Sequence, residues 1–217
     1  MPRLIIIALV LGGALFFIYR VISEFFGGIS GTKSQVKEDF KELNSLVEAY
    51  ELSPWPKQEL ELLSRQHDVQ TKNLIYSYIE HGQFFSIYEE PIMAFATKEY
   101  EQNQRRLAVV KFNGKKYQFD IHDGSVTMMK ELKEVGSVQI DNGLKVQLHG
   151  NHLHIDAIST SQMIPLTVNN EQKLSIISTD EDNGLPGRLL HKVNQYSVEE
   201  SELILLSVAF ALADKQI

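Results

Sequence analysis

From Asn73 onward the chain alternates apolar and polar residues in short runs. LIYSYIE, FFSIY, PIMAFAT, RLAVVKF, KYQFDI, SVTMMKE, GSVQID, LKVQLHG, HLHIDAI, MIPLTVN, KLSIIST and RLLHKV follow one another. A period of two belongs to strands with one face in a core. Asn113-Gly114, Asp123-Gly124, Asn142-Gly143 and Gly150-Asn151 punctuate the runs, and such pairs supply the backbone conformations of tight hairpins. About a dozen strands with no helix among them predict a meander, and closing a meander into a barrel removes its exposed edges.

The period lengthens at both ends of this region. Thr32-Lys33-Ser34-Gln35 has the form of a capping box, after which Val36, Phe40, Leu43, Val47 and Tyr50 recur at three- and four-residue steps. That spacing predicts an amphipathic helix of about four turns. Ser53-Pro54 then opens a second short helix, with Leu60 and Leu63 on its apolar edge. Together they make a stalk or hairpin packed on the main domain.

At the other end Ser197-Val198-Glu199-Glu200 is a second capping box, and Leu203 to Ala213 carries no charge. This run is too short to cross a bilayer. It is also apolar around its whole circumference, so it has to be surrounded rather than laid on a surface. The barrel is the available container, which makes Leu203, Leu206 and Phe210 the residues of a core plug.

Leu4 to Ile22 is apolar except for Arg20, which lies near enough to the end to reach the headgroups. Tyr19, Phe25 and Phe26 fit an interfacial belt there. No A-x-A-like cleavage site follows, so the segment reads as a retained anchor. Arg20, Lys33, Lys37 and Lys41 trail it against Arg3 alone in front, a bias that places the soluble part on the cytoplasmic side. The expected fold is α+β, mainly β. Residues 1–26 form a transmembrane anchor, 27–72 a linker and helical stalk, and 73–217 a closed antiparallel barrel around a buried carboxy-terminal helix.

Composition narrows the function classes. The formal net charge of −7 over 217 residues opposes general nucleic-acid binding, which needs cations for phosphates. The absence of cysteine excludes disulfides and thiolate metal sites. There is no G-x-S-x-G, and no glycine-rich phosphate loop follows a strand, so no catalytic residue is assigned and the chain reads as a non-enzyme. HGNHLHID (His149–Asp156) is the most metal-like text. On a strand His152, His154 and Asp156 share one side, opposite Leu153, Ile155 and Ala157. The plainer reading of that alternation is a polar outer face. Asp180-Glu181-Asp182 offers carboxylates to a hard cation, but with Gly184 as the turn glycine the twelfth loop position falls on Leu190.

The closing segment resembles the tubby carboxy-terminal-like superfamily, which includes phospholipid scramblases and LURP-one-related proteins. STDEDN (Ser178–Asn183), then YSVEESELILLSVAFALAD (Tyr196–Asp214), is similar to the scramblase ending, where an acidic TDxDN loop precedes an apolar helix finished by Asp. The matching positions are Thr179, Asp180, Asp182, Asn183 and Asp214. At the level of strand pattern the likeness covers about Asn73 to Asp214. The resemblance implies a dozen-strand barrel wrapped on its terminal helix, and membrane lipid as partner. It also implies a calcium-type site at Asp180 and Asp182, with no other cofactor. Three functions compete, because fold does not fix function. One is a single-pass, lipid-associated binding or organising barrel. Another is a membrane-tethered envelope adaptor for a protein partner, and the last is a metal-dependent enzyme built on the histidine strand.

Overall fold

The computed structural model describes residues 33–56, 59–100, 105–122, 125–130, 133–140, 143–148, 151–156, 163–177 and 187–213. The expected anchor with Tyr19, Arg20, Phe25 and Phe26, and the acidic loop with Asp180 and Asp182, lie outside those residues. Among the described residues no helix is long and apolar enough to cross a membrane.

Twelve strands form one antiparallel sheet in simple chain order. The first six are β1 (Leu63–Asn73), β2 (Ser77–Ser86), β3 (Pro91–Tyr100), β4 (Arg105–Phe112), β5 (Lys115–His122) and β6 (Ser125–Lys130). The rest are β7 (Lys133–Ile140), β8 (Gly143–Leu148), β9 (Asn151–Asp156), β10 (Met163–Val168), β11 (Glu171–Ile177) and β12 (Leu190–Lys192). Two of the hairpins use the expected left-handed backbone. Asn113 and Gly114 have φ of 48° and 70° between β4 and β5, and Asn169 and Asn170 have 49° and 67° between β10 and β11. Both match the type I′ turn, whose twist suits a hairpin.

The sheet curls until its ends meet along a short seam. Ser64 bridges Arg188. The Leu189 amide donates to the Leu63 carbonyl (2.9 Å), and the Arg65 amide to Gly187 (3.1 Å). The Arg65 guanidinium also donates to the Ile177 carbonyl on β11. Past this seam β1 runs on from Gln66 to Asn73 fully exposed, paired among the described residues only with β2. The expected closed barrel is therefore nearly closed. Gly82 on β2 allows β1 to cross it closely, since a Cβ there would collide with the Asp68 carbonyl.

One core fills the barrel. The inward rows include Phe84, Met93, Phe95, Val110, Phe119, Met128, Val146, Leu153, Leu166, Leu174 and Leu190. Helix α2 belongs to the same cluster, and its name requires α1 (Lys33–Glu48) and α2 (Val198–Ala213) to be set out in chain order. Every residue of α2 from Leu203 to Ala211 is buried, with Leu206 and Phe210 wholly inaccessible. The helix packs against β3, β4, β8 and β9, and the Phe210 ring meets Phe119 at 5.2 Å. Its buried hydroxyl at Ser207 donates to the Leu203 carbonyl (2.7 Å), so no polar group is left unpaired on that turn.

The start of α2 is capped as expected. Ser197 Oγ accepts from the Glu200 amide (3.1 Å), and Glu200 Oε2 from the Ser197 amide (2.7 Å). Glu202, at the barrel mouth, receives Lys115 Nζ at 2.8 Å and the Tyr117 hydroxyl. Burial, and then this hydrogen bond, push the Tyr117 phenol well above its ordinary range, which keeps it a donor.

The expected second helix is not formed. Residues 51–56 are extended, and Leu60–Leu62 is a single 3-10 turn that runs directly into β1. Pro54 and Pro56 bias the residues before them away from helix. Trp55 is buried instead, its backbone held by Asn113, which accepts from the Trp55 amide (2.7 Å) and donates to its carbonyl (2.8 Å). The barrel's first strand thus begins well before Asn73, in a stretch read from sequence as helix edge.

Helix α1 lies flat on the outside of the barrel. Val36, Phe40, Leu43 and Val47 bury against the outward rows of β2, β3 and β4, including Ile79, Ala94, Ala96, Leu107 and Val109. Strands β3 and β4 are therefore buried on both faces. A charged group sits inside this interface. Asp39 Oδ1 accepts from Lys98 Nζ (2.8 Å) and its other oxygen from the Tyr100 hydroxyl, with all three residues buried. At the far end Glu48 pairs with Lys111 (3.0 Å) and Lys116 (2.5 Å).

Truncation tests both packed helices. Leu206→Ala should cost about 2–5 kcal/mol in denaturant unfolding, the range for a buried leucine that leaves a cavity. Leu206→Asp should leave no folded protein by circular dichroism, because no buried partner awaits the charge. Asp39→Ala strands the Lys98 ammonium and should cost about 3–5 kcal/mol. Asp39→Leu combined with Lys98→Met should recover much of that loss in the same measurement.

Candidate functional site

The outer wall of the barrel has two unlike halves. Over β2, β3 and β4 it is apolar and sealed by α1. From β7 to β10 it is polar, and among the described residues no helix packs over it. The histidine strand β9 lies in this second half, as its alternation required: Leu153 and Ile155 are buried, His152 is exposed and His154 half-buried. Asp156 follows at the position paired with Gly143.

Register, which no single strand shows, decides what surrounds the histidines. Gln139 pairs with Lys145, Lys145 with His154, and His154 with Thr167. These four positions form one row across β7, β8, β9 and β10, each gap about 4.8 Å wide. Directly opposite side chains on one face are neighbours in the sense that governs sheet energetics. A parallel row joins Ser137, Gln147 and His152. Between the rows and over Val146 and Leu153 lies a cleft of about 480 Å³, with Asn170 at its β10–β11 end.

That end is fixed by the Asn169-Asn170 turn. Asn169 Oδ1 accepts from the His152 amide (3.1 Å), and the Asn169 amide donates to the His152 carbonyl (2.9 Å). Thr167 Oγ1 donates to the His154 carbonyl (3.3 Å). The backbone that carries both imidazoles is therefore tied to two neighbouring strands by side chains as well as by the ladder.

The cleft's charge is one-sided. Lys145, His152 and His154 line it with neutral amides and hydroxyls, and no Asp or Glu does among the described residues. Elsewhere lysines and arginines are paired, as in Lys98 with Asp39, Arg105 with Asp120, Lys111 and Lys116 with Glu48, and Lys115 with Glu202. A divalent metal between His152 and His154 would stand against the Lys145 ammonium. Among the described residues no group of three or more His, Asp or Glu is placed to hold a metal ion.

Of the residues singled out from sequence, His152 and His154 meet in this cleft, while Leu203, Leu206 and Phe210 lie in the core. Lys145, Gln147, Gln139 and Thr167 were not singled out. Their outward phase was written in the alternation of LKVQL, yet only the pairing of β8 with β9 brings them beside the histidines. Compared with protein families, curated proteins and solved structures, the chain has no match.

His152→Ala with His154→Ala should change unfolding free energy by no more than about 0.5 kcal/mol, as surface substitutions do. A melting midpoint lowered by several degrees would show instead that the imidazoles support the fold.

Proposed function

We propose that this chain is a membrane-anchored, non-enzymatic binding barrel on the tubby-like plan, which holds or organises lipid through its open outer wall. The observation that carries this reading is the filled interior. Helix α2 occupies the space in which a hollow barrel would hold a small ligand. Binding is thereby left to the outside, and α1 already covers the β2–β4 half. The polar wall of β7–β10, with its cleft, is the surface that remains. Twelve strands around a carboxy-terminal helix support the tubby-like plan. The apolar stretch from Leu4 to Ile22 supports a tether that would keep this wall close to lipid.

Flotation with liposomes tests the lipid element directly. The chain without residues 1–30 should rise with vesicles, to a degree that depends on their lipid composition. If it stays at the bottom with every composition while a membrane protein co-purifies with the full chain, the adaptor reading replaces this one.

A further inference from the structure

We propose that the cleft on β7–β10 is an oxyanion site, which takes a phosphate group borne by a lipid headgroup or by a small soluble molecule. The inference rests on the reading of the open wall as the binding surface, and it adds the chemistry that wall would recognise.

The first support is electrostatic. The chain has 28 acidic residues against 21 Lys and Arg, yet no carboxylate lines this cleft among the described residues. Lys145 reaches it from β8, with no ion-pair partner among the described residues, whereas its counterparts on the α1 side are neutralised. An ammonium free of a carboxylate is available to an incoming anion at no cost of breaking a pair.

The second support is the donor set. Lys145 has three N–H donors, each imidazole has at least one, and the Gln139 and Gln147 amides add neutral ones. His154 and Lys145 occupy directly opposed positions, and His152 lies two residues along the same face. An oxyanion over this row receives charge-assisted hydrogen bonds, the strongest kind. The third support is size and rigidity. A space of about 480 Å³ falls within the range of small-molecule sites. Its polar groups stand on paired strands locked by Asn169, so little ordering is needed on binding.

The test uses the full chain in a neutral detergent, titrated calorimetrically with inorganic phosphate and separately with a short-chain phosphatidic acid. Saturable binding of at least one is expected. Lys145→Gln should weaken it about tenfold, the equivalent of one lost charge-assisted hydrogen bond. His152→Ala with His154→Ala should weaken it further, and Lys72→Gln on exposed β1 should leave it unchanged. Unaltered melting midpoints would confirm that the variants are folded.

Binding of phosphatidic acid with little affinity for phosphate places the oxyanion on a lipid. Binding of phosphate alone keeps the inference and assigns the site to a soluble ligand. No binding of either overturns the inference. If vesicles of neutral phosphatidylcholine still float the chain without residues 1–30, the membrane reading survives that failure. An equal loss in Lys72→Gln would reveal general charge attraction and overturn the inference. Zinc binding tighter than phosphate, lost with the two histidines, would overturn it as well.

Discussion

A helix that is apolar on every side cannot lie half in water, and in this chain it is too short to live in a bilayer. Helix α2 therefore needs walls all round, and the walls need α2 in turn. With side chains a helix is about 10–12 Å across. A barrel of twelve strands is too wide for its own inward side chains to fill, since about eight strands suffice for that. Leu203 to Ala211 occupies the difference, and Phe119 against Phe210 shows strand and helix interlocked at ring contact. Each fully buried Leu, Val or Phe contributes about 1.5–3 kcal/mol of transfer free energy, so the helix is a large share of the core. The polar atoms that accompany it are satisfied locally, at the Ser197 cap, at Ser207 and at Glu202.

The same constraint shapes the outside. A barrel filled with apolar side chains still has an outer face, and here part of that face is apolar as well. Helix α1 covers it, which turns β3 and β4 into strands buried on both sides. Inside that contact Asp39, Lys98 and Tyr100 form a closed polar set. Replacing such a pair by apolar residues is often neutral, so its net stabilisation is small. Its consequence is positional: α1 cannot slide along the sheet without leaving a charge unpaired in an apolar contact. The Glu48 pairs to Lys111 and Lys116 reinforce that register, but from the solvent side, where ion pairs are worth little.

Much of this was legible in the sequence because alternation and capping are local. The strand runs from Asn73, the plug helix and its Ser197–Glu200 box, and the outward phase of His152 and His154 all follow from side-chain period. What failed was nonlocal. Leu60 and Leu63 look like the edge of a helix, but they face the barrel mouth, and the prolines around Trp55 favour the extended path that Asn113 then fixes. Unbroken apolar text in PIMAFAT and LAVV means burial on two faces, and it pointed to a cover over β3 and β4. Asp39, a charge one turn away from Leu43 on an apolar stripe, marked the place where that cover would need a cation. The candidate cleft was half legible. Two imidazoles on one face could be read along β9, whereas Lys145 reaches them only through a strand register that no local pattern encodes.

Register also explains why the same histidines mean different things in the two readings. Taken along β9 alone, imidazoles spaced by two with an aspartate beyond are a chelating pattern. Taken across the sheet, the partner of His154 is a lysine, and the next position out is a glutamine. A metal would add positive charge to a row that already holds it, with no second-row carboxylate lining the cleft to offset the repulsion. An anion reverses every one of those signs. Because the row stands on strands whose inner faces are packed against α2, it cannot readily deform to suit a different guest. The filled core that closes the interior to ligands therefore also holds the outer wall in the geometry that selects one.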